Sequence, residues 1–85
     1  MKEIEIGYVE HYFGHLNVAG MYITSGKLKV GDTIHIKGHT TDFTEKIESM
    51  QVEHADVTEA KPGDHIGVRM VGRCREHDKI YVIIE

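Results

Sequence analysis

The sequence predicts an all-β fold, a small closed antiparallel barrel of six strands, and three observations carry that expectation. Apolar and polar residues alternate at a period of two in five separate stretches, as strands with one buried face require. Turn-forming pairs punctuate those stretches at Ser25-Gly26, Gly31-Asp32 and Pro62-Gly63. No apolar run repeats at helical spacing. Six short strands with half their faces apolar can hide every edge by closing into a barrel.

In the first strand Ile4, Ile6 and Tyr8 share one side, with Glu3, Glu5 and Gly7 on the other. Ala19, Met21 and Ile23 set the inward face of the second. Ile34 and Ile36 set that of the third, leaving His35 outward. The fourth, EKIESMQVE, breaks parity, because Ile47 falls opposite Met50 and Val52; a bulge near Ser49 would restore one buried face. Ile66, Val68 and Met70 form the fifth inward set, with His65 and Arg69 outward, and Ile80, Val82 and Ile84 the sixth. Pro62-Gly63 suits the centre of a type II turn, where proline fixes φ and glycine accepts a positive one.

Eighty-five residues are expected to make one domain, residues 1–85, with a single modest core. No apolar run approaches the roughly 20 residues that span a bilayer, and no signal-peptide pattern opens the chain. The lone Cys74 has no disulfide partner within the chain, so a reducing cytoplasm is the expected location. A net charge of −4 is the wrong sign for indiscriminate attraction to nucleic acid. The balance is uneven, however: Gly67 to Arg75 holds three arginines and no acid.

Enzyme chemistry finds no foothold. In GMYITSGKL five residues separate Gly20 from Gly26, and Leu28 follows Lys27, so the phosphate-cradling loop fails twice and no nucleotide is expected. There is no G-x-S-x-G elbow, and Cys74 has no evident base beside it. Seven histidines raise the question of a metal, but no tight Cys/His spacing brings three or four ligands together. Neither metal nor cofactor is expected.

The segments GKLKVGDTIHIKG, IESM, VTEAKPGDHIGV and GRCREHD occur in an order and spacing that resemble the second, β-barrel domain of the translational GTPases, elongation factor Tu among them. The shared positions are Gly31, Asp32, Ile34 and Ile36; then Ala60, Gly63, Asp64 and Gly67; then Gly72, Arg75 and Glu76. HYF and KGHTTDF also resemble stretches of short stand-alone proteins labelled translation elongation factor-like. Isoleucines and glycines are scaffold, and scaffold does not carry function. The resemblance implies that Arg75 lies where that factor approaches the acceptor end of tRNA. It also places Gln51 where that factor has a carboxylate beside the terminal adenosine.

The expected function is a non-enzymatic binding module contacting RNA, with the ribosome or tRNA as partner. Lys37, Arg69, Arg73 and Arg75 are the candidate phosphate contacts. The competing role for Arg75 is an ion pair with Glu76 or Asp78. The alternative function is a protein-interaction adaptor, since a related barrel forms the accessory C-terminal domain of collagenase-like peptidases. Neither reading calls for a membrane.

Overall fold

The period-two alternation becomes one large curled antiparallel sheet with a small two-stranded one beside it. The computed structural model describes residues 2–84. Its ten strands are β1 (Lys2–Phe13), β2 (Val18–Ile23), β3 (Leu28–Lys29), β4 (Thr33–Lys37), β5 (Asp42–Lys46), β6 (Met50–Val52), β7 (Ala55–Val57), β8 (Glu59–Ala60), β9 (His65–Arg69) and β10 (Lys79–Ile84). Eight of them form one sheet in the order β5-β4-β10-β1-β2-β9-β6-β7, and β3 pairs with β8 alone.

The six-stranded closed barrel is thereby corrected: no ladder joins β5 to β7, and the sheet stays open. It is nevertheless strongly rolled. In a flat sheet, six spacings of about 4.8 Å would set β5 about 29 Å from β6. Only Ile47, Glu48 and Ser49 link the two strands, and the four Cα steps reach at most about 15 Å. The parity break at Ile47 is therefore a corner from the edge strand β5 to β6 near the other edge of the sheet, not the bulge expected near Ser49. Its backbone is satisfied by the β3–β4 turn: Gly31 N–H donates to the Ile47 carbonyl and Ile47 N–H to that of Asp32, both at 2.8 Å. The corner lets Ile47 and Met50 both enter the core.

Ala19, Met21 and Ile23 of β2, Ile34 and Ile36 of β4, and Ile66 and Val68 of β9 are buried where alternation placed them. Strand β1 departs from its expected phase. Its pairing with β10 slips between Glu5 and Gly7, and its pairing with β2 slips between Val9 and His11. The first slip turns Tyr8 outward and Val9 inward. Ile4, Tyr8 and, at the far end of β10, Ile84 are exposed rather than core.

Three strands start from one repeated turn. In Lys29-Val30-Gly31-Asp32, Lys61-Pro62-Gly63-Asp64 and Arg75-Glu76-His77-Asp78, the aspartate Oδ2 accepts the first residue's N–H at 2.9, 2.9 and 2.8 Å. The aspartate N–H donates to the first residue's carbonyl in return. The third position has φ of +100°, +95° and +73° in the three turns. Glycine accepts that freely; His77 does so at a steric penalty.

Across the sheet's outer face His35 bridges two carboxylates. Its Nδ1 lies 2.7 Å from Glu3 Oε1 on β1 and its Nε2 2.5 Å from Asp42 Oδ1 on β5. These hydrogen bonds, that to Asp42 foremost and then that to Glu3, raise its pKa above the ordinary 6.5, with the two negative charges adding and burial opposing. A raised folded pKa contributes stability that is complete below the unfolded value and is lost as pH rises through the folded one. The melting temperature should therefore fall as pH climbs from about 6 through neutrality. In His35→Gln that decline should vanish, and thermal melts of the two proteins at matched ionic strength check it.

Candidate functional site

The outer face of β1, β2, β9 and β6 carries a groove whose floor is set by register. Along β2 and β9 the inward residues are Ala19, Met21, Ile66 and Val68, so Val18, Gly20 and Tyr22 face outward beside His65, Gly67 and Arg69. Pairing aligns Gly20 with Gly67, with His11 beyond Gly20 on β1 and Gln51 beyond Gly67 on β6. Two facing glycines leave bare backbone in the middle of that row. One step along the strands Tyr22 sits across from His65, their rings 4.6 Å apart. One step the other way Val18 sits across from Arg69.

The resulting groove measures about 600 Å³. Phe13 and Leu16, 41% and 55% exposed, give it an apolar wall, and the Phe13 ring lies 4.4 Å from that of His11. Glu10 and Glu53 are its formally charged lining residues, and neither lysine nor arginine joins them. Glu10 Oε1 accepts from His65 Nδ1 at 2.7 Å. Arg69 stands in an adjoining cleft of about 240 Å³ that shares Val18, Gln51 and Gly67 with the groove.

At two places the groove holds residues that folding does not demand. A Cβ on Gly20 would lie 3.6 Å from the His11 carbonyl oxygen and one on Gly67 3.7 Å from Val18 Cγ1, both ordinary contacts, and neither residue has a positive φ. A strand interior loses roughly 0.5–1 kcal/mol by holding glycine at such a place. By contrast a Cβ on Gly72 would collide with the Phe43 ring, so Gly72 is scaffold. The second place is the rim. Glu53 and His54, with φ of 50° and 66°, form the two-residue turn between β6 and β7, a conformation the hairpin requires and these two side chains disfavour. Strained residues of this kind gather where binding or switching occurs.

The arginines divide between two places. Arg73 and Arg75 line a recess of about 490 Å³ with Tyr12, Thr40 and Thr41; the Tyr12 hydroxyl itself is buried and has no hydrogen-bond partner among the described residues. Lys37 ends β4, exposed, across from Lys79 and Asp42. Among the described residues no carboxylate lies within ion-pairing distance of Arg69, Arg73 or Arg75. Asp78 meets Arg75 through its backbone N–H instead. The loop bearing Arg73 is pinned by Glu45, whose carboxylate accepts the Val71 and Gly72 N–H groups, both at 2.8 Å. Cys74 is 4% exposed. Burial first, then the charges of Asp78 and Glu45, push its thiol up to about 12, which removes it as a nucleophile at neutral pH.

The sequence marked Gln51 and Arg69, which border the groove, for other reasons. Gly67 stood out only as a scaffold position of the resemblance and Gly20 only within the failed phosphate loop; only long-range pairing makes them neighbours. Among the described residues no three His, Cys, Asp or Glu side chains gather as metal ligands, and no helix is long and apolar enough to cross a membrane.

Residues 17–76 match the family described as elongation factor Tu domain 2. An uncharacterized protease of Methanocaldococcus jannaschii is 40% identical over 85 residues, covering 99% of this chain and 21% of that protein. A collagenase of Porphyromonas gingivalis is 36% identical over 81 residues, 94% of this chain and 20% of its own. The chain thus spans about a fifth of the length of these curated relatives. The C-terminal domain of a Geobacillus thermoleovorans protein assigned to the U32 peptidases superposes with a TM-score of 0.86 over 96% of this chain and 93% of that one; at 18% identity the likeness concerns the fold. The expected kinship with stand-alone elongation factor-like proteins finds no support among these relatives.

Proposed function

The chain belongs to the elongation factor Tu domain 2 family, and we propose that it is a non-catalytic accessory module that binds a protein partner, as a unit of the kind its protease and collagenase relatives contain. The observation that carries this reading is one of proportion: almost the whole chain aligns with a fifth of a protease. Its surface supports the same reading, offering an apolar groove, while Cys74 is buried with its thiol pushed up to about 12. Affinity capture from native lysate, with and without ribonuclease, tests it. Recovery of a peptidase-like protein that ignores ribonuclease is the expected result, whereas recovery that collapses on ribonuclease treatment would remove the reading.

A second reading, RNA contact, rests on Arg73 and Arg75 sharing one recess with no carboxylate within ion-pairing distance of either among the described residues. Two phosphates held there imply a log–log salt slope near −1.4 for single-stranded RNA. If Arg69 and Lys37 contributed, the slope would be steeper. On this reading Arg75→Ala weakens RNA binding by about 1 kcal/mol and halves the slope while leaving stability unchanged, because the side chain is exposed. Salt titrations of the wild type and of Arg75→Ala decide it.

A further inference from the structure

We propose that the glycine-floored groove holds a protein segment that lays an apolar side chain over Gly20 and Gly67 and sets a lysine or arginine against Glu10 and Glu53. The inference rests on the accessory-module reading and names the chemistry of its partner.

The mode of contact follows from topology. Strand β2 is paired on both sides, by β1 and β9, and β9 likewise by β2 and β6, so no edge is open here for strand addition. A ligand of this surface must be held through its side chains and by close approach to backbone. Bare glycine backbone in a strand suits that approach. Phe13 and Leu16, both exposed among the groove's lining residues, supply apolar area for such a side chain to cover.

Charge selects among apolar ligands. The groove's formal charges are both negative, on a chain of net charge −4. A cationic flank is therefore favoured and an acidic one repelled. Within the groove an RNA backbone would set its phosphates beside Glu10 and Glu53, with Arg69 standing in the adjoining cleft rather than among the lining residues.

The test is nuclear magnetic resonance titration of the full chain with three probes: an apolar pentapeptide flanked by lysines, the same peptide flanked by glutamates, and a short oligouridine. The lysine-flanked peptide should shift the amides of Phe13, Leu16, Gly20 and Gly67 and bind about tenfold more tightly than its glutamate-flanked twin. Gly67→Val should fill the floor, keep or raise the melting temperature, and weaken that peptide at least tenfold. Should Gly67→Val fold poorly, Gly20→Ser poses the same question. Equal binding of the two peptides, unimpaired binding to the filled groove, or groove shifts produced by oligouridine instead would each overturn the proposal. Lysate capture separates the two readings: a peptidase-like partner retained equally by Gly67→Val leaves the accessory module standing and removes the groove.

Discussion

Replacing Gly7 with alanine should destabilise the domain by about 3 kcal/mol, at the upper end of what overpacking costs, and lower its melting temperature by roughly 12–24 °C. Gly7 sits at the first register slip of β1, directly across from Ile23. An added Cβ would overlap the Tyr22 carbonyl oxygen and lie 3.0 Å from the Tyr22 carbonyl carbon and 3.1 Å from Ile23 Cα. All three atoms are backbone, so no rotamer change relieves the clash. Relief requires β1 to part from β2, and with them the inward pair Ile6 and Val9 from Met21 and Ile23. Gly20→Ala is the matched control, because its Cβ meets only ordinary contacts. Thermal and urea melts of the two variants should diverge; a Gly7→Ala protein within 5 °C of wild type would show that β1 shifts without loss.

The same residue explains how far the sequence could be read. Strands with unbroken parity were legible: Ala19, Met21 and Ile23 alternate without interruption, and the structure buries all three. Strand β1 was not, because two slips within twelve residues reset the phase, and a slip is a property of the partner strands rather than of β1 alone. Ile47 posed the same difficulty in another form. Its parity break was visible, but bulge and corner look alike until β5 is known to end the sheet six strand spacings from β6.

Turn chemistry was legible wherever glycine announced it, at Gly31 and Gly63, and illegible at His77, which takes the same conformation without the residue that favours it. The candidate site was the least legible part. Gly20 and Gly67 are separated by most of the chain, and only the β2–β9 ladder makes them a floor. The arginine stretch showed the converse: neighbours in sequence, Arg69 and Arg73 line different recesses, because a strand end and a loop point their side chains apart.

The double substitution Glu53→Asn with His54→Gly should stabilise the domain by about 1–2 kcal/mol and raise its melting temperature by roughly 4–16 °C. The turn joins Val52 to Ala55, the closing pair of β6 and β7, with positive φ at both central residues. Asn-Gly is the pair that such a turn favours. A left-handed residue other than glycine costs roughly 1–2 kcal/mol, and the unfolded-state entropy that glycine adds offsets part of the gain. Core packing gives no reason to retain Glu53 and His54, since both are exposed. Their place on the groove's rim does: Glu53 is one of its two charges, and His54 lies beside it. The stabilised variant should therefore bind the lysine-flanked peptide more weakly than wild type even as it melts higher. A rise in melting temperature with undiminished binding would make the strained turn a tolerated imperfection, and the groove's selectivity would then rest on Glu10 alone.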